Sequence, residues 1–181
     1  MARMFTKLAA ALTGATIIAC GDASPDPLSP RVDESDLRLS AASTQGSVLA
    51  TVRAATAKYR QVDAAIADGY IRISACVADE GIHYLKPALV NGVLDPAQPE
   101  HLLYEELPNG KLRLAGVEYV IVSAAWDRNN STAPLLGDQP FLDRRVPPFG
   151  APFPNYALFV WVWTHNPNGM YTQLNPQVSC G

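Results

Sequence analysis

The sequence predicts an α+β protein in which one long N-terminal helix packs on a mostly antiparallel sheet, with a long Pro-rich loop beside it. The first observation is the distribution of proline: none occurs between Arg31 and Lys86, whereas twelve of the fifteen lie from Pro87 onward. Proline interrupts helices but is tolerated in loops and turns. The second observation is the apolar pattern, which has helical spacing before residue 70 and alternates after it.

The first residues are typical of a bacterial secretion signal. Arg3 and Lys7 precede a mostly apolar run, Leu8 to Ile18, and a small residue stands directly before Cys20. The run is far shorter than the roughly 20 residues that a membrane-spanning helix needs. We therefore predict a lipoprotein signal peptide over residues 1–19, whose cleavage leaves Cys20 as the lipid-carrying N-terminus. A retained membrane anchor and an ordinary secretory signal are the alternatives.

These features predict a protein of the bacterial cell envelope, held at a membrane by its N-terminal lipid and facing the periplasm or the exterior. Gly21, rather than an aspartate, follows the cysteine. By resemblance to sorted lipoproteins, this favours the outer membrane. Cleavage removes Arg3 and Lys7, so the formal net charge changes from −3 to −5. A mildly acidic chain without a basic run argues against nucleic acid as a partner.

The cysteine content agrees with export. Once Cys20 is acylated, Cys76 and Cys180 remain, and two cysteines in an exported protein are expected to form a disulfide. Two buried free thiols are one alternative. A metal site made of the two is another, although neither lies in the Cys-x-x-Cys spacing that such sites use.

Residues 20–44 are rich in Ser, Asp, Pro and Ala, and Pro25, Pro27 and Pro30 fall close together. Such a composition buries too little apolar area to offset the entropy of ordering. We predict a flexible tether over this segment, followed by a single globular domain over residues 45–181.

The domain begins with the predicted helix, roughly Gly46 to Ala67. Thr44 or Ser47 can cap its start, and Gly69 suits the left-handed turn that ends it. Its apolar stripe recurs at spacings of four and three and consists of Val48, Val52, Ala55, Tyr59, Val62 and Ile66.

The sheet is predicted from the apolar runs of the second part of the chain. Asn109-Gly110 is a hairpin-turn signal, and a change of phase at Gly116 indicates a bulge. The last run is apolar on both faces, which predicts a central strand. Residues 123–155 hold six prolines and few periodic signals, hence the predicted Pro-rich loop. The runs are Tyr70 to Ile73, Ile82 to Leu85, Leu102 to Glu106, Leu112 to Val122 and Tyr156 to Thr164.

Two polar side chains lie inside these apolar runs and are the strongest candidates for a site. His83 lies in the second run and Glu118 in the fourth. A buried carboxylate needs a partner, a proton or a metal, so the two could share a proton or bind a divalent transition-metal ion. Alternatively, His83 is a hydrogen-bonded core residue, and Glu118 faces solvent or pairs with Arg113 or Lys111.

The aromatic end of the last run supplies candidates for an apolar wall, namely Phe159, Trp161 and Trp163. Aromatic side chains line many ligand pockets, although core packing is the alternative. His101 is predicted to be exposed in a loop, and His165 could reach the lip of a pocket.

Other possible chemistry is not signalled. Glu105 and Glu106 are adjacent, so in a strand they point to opposite faces and make a poor acid–base pair. We expect both carboxylates to be solvated at the edge of the sheet. The chain contains no Gly-rich phosphate loop, Gly-x-Ser-x-Gly elbow or His-Glu-x-x-His motif. We therefore predict no catalytic residue.

Several motifs are similar to those of a family of uncharacterised exported bacterial proteins and lipoproteins, over about Val48 to Cys180. The resemblance implies an exported domain but no established activity. In that family a histidine precedes the Val-Trp of the last run, where this chain has Phe159. A family site of two histidines and a carboxylate would here retain His83 and Glu118. The motifs are Gly81-Ile82-His83-Tyr84, Gly116-Val117-Glu118-Tyr119, Val160-Trp161-Val162-Trp163, Asn166-Pro167-Asn168-Gly169 and Asn175-Pro176-Gln177-Val178-Ser179-Cys180.

The leading hypothesis from the sequence is a non-enzymatic, lipid-anchored envelope protein. It would bind a small apolar or metal-bearing ligand in a pocket between the sheet and the Pro-rich loop. His83 and Glu118 would form the polar pair of this pocket. Its apolar wall would consist of Phe159, Trp161 and Trp163. The alternatives are a metal-dependent hydrolase or oxidase that uses the His/Glu site and a structural or interaction protein without a small-molecule site.

Overall fold

A computed structural model of the protein describes residues 34–148 and 150–181. It shows the predicted α+β fold: a long N-terminal helix, a six-stranded antiparallel sheet and a small two-stranded sheet. The helices are α1 Glu34–Thr56, α2 Val62–Ala67 and α3 Ser123–Trp126, with two short 3-10 helices, Ala57–Arg60 and Pro87–Leu89. The strands are β1 Ile71–Arg72, β2 Ile82–Leu85, β3 His101–Glu106, β4 Leu112–Val122, β5 Leu135–Leu136, β6 Gln139–Pro140, β7 Leu142–Arg144 and β8 Asn155–Val160. The six-stranded sheet has the order β1-β2-β3-β4-β8-β7, and β5 pairs with β6 in the small sheet.

The helical region differs from the prediction at both ends. Residues 34–44, predicted as tether, belong to α1, while the rest of that segment, Cys20 and the predicted signal peptide lie outside the described residues. The single helix predicted to reach Ala67 is interrupted after Thr56. We attribute the interruption to a contact with the sheet, where the Tyr104 hydroxyl donates a hydrogen bond to the Tyr59 carbonyl at 2.6 Å. Gly69 ends the region with φ of 90°, as predicted.

All five predicted strands are present, although the last ends at Val160 instead of Thr164, and the bulge is confirmed. Leu103 pairs with Gly116 but Tyr104 pairs with Leu114, so Ala115 is the extra residue in β4. The bulge changes which face each side chain of β4 occupies. After it, Val117 packs in the main core, and by alternation Glu118 lies on the opposite face of the sheet.

The two faces of the sheet carry different clusters. One face packs with Val52 and Tyr59 of the helical region in the main core. The other carries a small cluster of Leu103, Ala115, Phe159, Trp161 and Val178. We call this second side of the sheet the site face, because the residues of the candidate site lie on it.

The predicted Pro-rich loop is not what the structure shows for residues 123–155. This segment contains α3, the small β5-β6 sheet and strand β7, which pairs with β8 at the sheet edge. As predicted, β8 is flanked on both sides, by β4 and β7. Strand β7 escaped prediction because it is three residues long and mostly charged, as edge strands often are.

The predicted disulfide is present between Cys76 and Cys180, with Cα atoms 5.6 Å apart. It joins the segment before β2 to the C-terminus, which is itself bound to the end of β3: the Glu106 amide donates to the Ser179 carbonyl at 3.0 Å, and the Gly181 amide donates to the Glu106 carbonyl at 2.9 Å.

Residues Asp33–Gly181 form one compact unit, which contains the sheet, both core clusters and the disulfide. None of the helices in the described part of the chain combines the length and the apolar character that crossing a bilayer requires.

Candidate functional site

A cavity of about 260 Å³ opens on the site face. Charged and polar side chains from five strands, from the segment before β2 and from the C-terminal segment meet in it. Its polar lining consists of Ser74, Glu80, His83, His101, Glu118, Arg144, Asn155 and Gln173, and its remaining lining of Ile73, Val77, Val120, Gly150, Ala151 and Phe159.

Strand pairing brings the key residues together. His101 of β3 pairs directly with Glu118 of β4, which pairs on its other side with Phe159 of β8. These three side chains therefore form one row across the sheet. Leu85 of β2 pairs with His101, and His83, two residues earlier, lies on the same face because side chains alternate.

Both imidazoles face the same oxygen of the Glu118 carboxyl group. The distances to Glu118 Oε2 are 3.2 Å from His101 Nδ1 and 3.8 Å from His83 Nε2. The two rings are nearly perpendicular, with centroids 5.9 Å apart. The short His101 contact lacks hydrogen-bond alignment, and within the described residues His101 Nδ1 is a buried atom without a hydrogen-bond partner.

A ring of polar contacts surrounds this centre. Arg144 Nη1 lies 3.7 Å from Glu118 Oε1, and Arg144 Nη2 donates to Gln173 Oε1 at 2.7 Å. Gln173 Nε2 donates in turn to Glu80 Oε1 at 2.6 Å, and Glu80 Oε2 lies 3.7 Å from His83 Nε2. The ring fixes the outward-facing atoms of both carboxyl groups and leaves their second oxygens towards the imidazoles.

Ser74 orients the His83 ring from behind. Its hydroxyl oxygen accepts a hydrogen bond from the His83 backbone amide at 2.9 Å and lies 3.4 Å from His83 Nδ1. The Nε2 atom of His83 is thereby turned towards the cavity.

Burial controls the protonation of the centre. Desolvation raises the pKa of Glu118 to about 8, although the nearby Arg144 guanidinium opposes the change. Desolvation also lowers the pKa of His101 to about 3 and lowers the pKa of His83. The short His101–Glu118 distance would by itself favour an ion pair, but the cost of burying two charges outweighs it. At neutral pH the centre therefore holds a protonated carboxyl group and two neutral imidazoles.

A second, apolar cavity of about 330 Å³ adjoins the first. Its own lining comes from β2, the segment after it and the loop before β8: Leu85, Pro87, Val90, Pro152 and Phe153. The two cavities share the lining residues Ile73, His101, Val120, Gly150 and Ala151. A polar and an apolar space are therefore in contact along one wall.

Of the predicted site residues, His83, Glu118 and Phe159 line the polar cavity, and Trp161 and Trp163 lie outside both cavities. Trp161 stacks on Phe159 with centroids 6.2 Å apart, and its Nε1 donates to the Thr172 carbonyl at 2.7 Å. The predicted alternation stops because β8 ends at Val160.

Beyond that point Trp163 turns to the helix side, where its Nε1 donates to Thr56 Oγ1 at 3.1 Å. Both tryptophans therefore pack in the core, which is the alternative to their predicted role as the wall of a pocket.

The prediction that His101 is exposed is wrong, because this residue begins β3 and is only 8 % exposed. The alternation of His101 with Leu103 on one face was the signal that could have found it. Glu80 and Arg144 were also missed, and no periodic signal marks either. His165 is exposed and lies outside both cavities.

The acid pairings also differ from the alternatives considered. Glu118 is buried and does not pair with Arg113, whose Nε lies 2.5 Å from Glu105 Oε1 instead. Glu105 is 1 % exposed, so edge solvation does not explain it. It serves as the buried partner of a surface cation.

Among the described residues, no three His, Cys, Asp or Glu side chains are already disposed together as ligands of one metal ion.

A groove of about 680 Å³ elsewhere, between the first 3-10 helix and the β3-β4 hairpin, is larger than the polar cavity. Its cations, Lys58, Arg60, Lys111 and Arg113, are all exposed, and it lacks the buried polar centre that distinguishes the site on the sheet.

No protein-family model matches the chain, and comparisons with curated proteins and with solved structures gave no match either.

Proposed function

We propose that the protein is a non-enzymatic, lipid-anchored protein of the cell envelope that binds one small, largely apolar ligand in the two adjoining cavities. The observation that carries the proposal is the wall of five residues that the polar and apolar cavities share. Ligand sites are typically mostly apolar cavities of about 300–1,000 Å³ with a few convergent polar groups, and the two spaces together have this character.

Each of the two cavities would contact a different part of the ligand. The side chains of Leu85, Val90 and Phe153 offer an apolar surface, where burial of a ligand contributes about 25 cal/mol per Å². Glu118 and Arg144 face the polar end. A ligand with an apolar body and one polar or metal-bearing end satisfies both, whereas a fully apolar molecule would leave the polar groups unpaired.

The proposed localisation in the cell envelope rests on Arg3, Lys7 and the apolar run before Cys20 in the sequence. The Cys76–Cys180 disulfide supports it, because disulfides persist mainly in oxidising compartments outside the cytosol. An outer-membrane position, favoured by Gly21, is the finer part of the same proposal.

Blocking the shared wall tests the binding proposal. We expect the unit Asp33–Gly181 to bind one equivalent of the apolar fluorophore N-phenyl-1-naphthylamine, with a gain and a blue shift of its emission. The variant Ala151→Trp places an indole where the cavities meet and is expected to weaken binding at least about tenfold, since 1.4 kcal/mol of lost contact suffices for that.

The matched control is Ala97→Trp, which adds the same side chain at an exposed position outside both cavities. Its affinity should stay within about twofold of the parent chain, and the melting temperatures of the variants should agree. Equal affinity of the Ala151→Trp and parent proteins, or no saturable binding by the parent, would remove the basis of the proposal.

A further inference from the structure

We propose that the polar cavity binds one divalent transition-metal ion through His83, His101 and Glu118, with Glu80 as a fourth donor. The inference deepens the proposed function and rests on it, because it names what the polar end of the same cavity holds. Imidazole and carboxylate are the usual ligands of zinc and of the neighbouring first-row metals.

The spacing of the donors is the first argument. His101 Nδ1 and Glu118 Oε2 are 3.2 Å apart, His83 Nε2 and Glu118 Oε2 are 3.8 Å apart, and His83 Nε2 and Glu80 Oε2 are 3.7 Å apart. Adjacent ligands of a metal bound at about 2.0–2.2 Å lie about 3.0–3.5 Å from each other. These three donor pairs are thus already within about half an ångström of that spacing.

The pairs form a chain of contacts rather than a closed shell, which is why no three donors yet surround one point. Closing the shell requires rotation of the Glu118 and Glu80 carboxyl groups. The terminal torsion of a glutamate is broad and soft. The imidazoles, which lie on paired strands, can keep their positions.

The unpartnered His101 nitrogen is the second argument. His101 is nine-tenths buried, and its Nδ1 faces Glu118 without a hydrogen bond among the described residues. A buried polar atom without a partner costs about 1–3 kcal/mol. A metal bound between this nitrogen and the carboxylate removes that cost.

The outer contacts are the third argument, because metal ligands are typically oriented by partners behind them. Ser74 lies behind His83, Gln173 behind Glu80 and Arg144 behind Glu118. In each case one polar atom of the ligand contacts its outer partner, and the other faces the centre.

Cobalt binding by the full chain tests the inference. The protein is purified in detergent without a histidine tag, treated with a chelator and titrated with Co²⁺. We expect one Co²⁺ per chain, visible as a ligand-field absorption band that one equivalent of Zn²⁺ abolishes. His101→Asn and the isosteric Glu118→Gln should each weaken Co²⁺ binding more than tenfold, because loss of an outer partner alone costs about 10–100-fold.

Two further variants make the result specific. His165→Asn removes the exposed third histidine of the sequence and should leave the affinity within about twofold of the parent. Ser74→Ala should weaken binding about tenfold while the stoichiometry remains one, as expected of an outer partner. A melting curve recorded with chelator identifies any variant that fails to fold, and Glu118→Gln then replaces His101→Asn as the deciding variant.

The absence of a stoichiometric Co²⁺ band, or equal affinities of the Glu118→Gln, His101→Asn and His165→Asn proteins, would overturn the inference. The fluorophore measurement with Ala151→Trp, repeated with chelator present, separates this failure from that of the proposed function. Fluorophore binding without Co²⁺ binding leaves the ligand proposal standing and removes the metal.

Discussion

Removal of the Cys76–Cys180 disulfide is expected to lower the free energy of unfolding by about 4–5 kcal/mol. The two cysteines are 104 positions apart, and in the chain-entropy model a bridge of this span restricts the unfolded chain by about that amount. For a domain of this size the melting temperature should fall by roughly 10–20 °C. Thermal denaturation of the parent and of the Cys76→Ser, Cys180→Ser double variant measures the effect.

The disulfide should also matter for the site before the protein unfolds. It holds the segment that leads into β2, and this segment supplies Ser74 and Glu80 to the polar cavity. We therefore expect the double variant to bind the fluorophore more weakly even at temperatures where it is folded. Reductant should change the parent chain but not the double variant. If both proteins melt at the same temperature, the bridge does not have the assigned role.

The second large effect is expected at Gly81, which precedes β2 and thus positions His83. Its φ is 82°, and an added Cβ would overlap the Tyr104 carbonyl oxygen while lying 3.1 Å from both the Tyr104 carbonyl carbon and Val178 Cγ1. The obstacle is mainly backbone of the neighbouring strand, which cannot rotate away. Gly81→Ala should therefore cost at least about 3 kcal/mol, from backbone strain and steric overlap together.

Gly110 provides the matched control, because its φ is 73° and an added Cβ would have no atom within 4 Å. Gly110→Ala should cost only the strain of the left-handed conformation, about 1–2 kcal/mol. Urea denaturation of both variants measures the difference. Equal losses of stability would mean that β2 shifts to accept the methyl group and that the close approach of Gly81 to β3 is not essential.

The parts of the fold that the sequence predicted correctly were those marked by local patterns. The runs at Ile82 to Leu85 and Leu112 to Val122 are strands with those same bounds, because they are mostly apolar and polar or turn-forming residues flank them. The bulge was predictable because the phase of alternation in β4 changes next to Gly116. The disulfide followed from the cysteine count and the inferred compartment.

The errors arose where distant contacts decide the structure. The composition of residues 34–44 suggested a tether, yet α1 extends through them, and Gln45 at their end is held by the hydroxyl group of Tyr171. The helix break after Thr56 depends on Tyr104, about fifty positions away. Strand β7 exists because β8 lies beside it, and a three-residue charged strand has no periodicity of its own.

The candidate site was predicted in part for the same reason. His83 and Glu118 stood out because they are polar groups within apolar runs. His101 was hidden by the proline and glutamate that precede it, and its importance appears only when strand pairing places it beside Glu118. Arg144 reaches the site through β7. The tryptophans were misplaced because the end of β8 at Val160 could not be foreseen from an apolar run that continues beyond it.

The central claim is that the adjoining cavities hold one ligand, and mass spectrometry under non-denaturing conditions tests it most directly. The full chain is isolated from the cell envelope together with its Ala151→Trp and Ala97→Trp variants. The account predicts one noncovalently bound small molecule per chain in the parent and in Ala97→Trp, and its loss from Ala151→Trp. The claim would be contradicted if the parent and both variants carried no bound molecule, or if all three carried a bound molecule of the same mass.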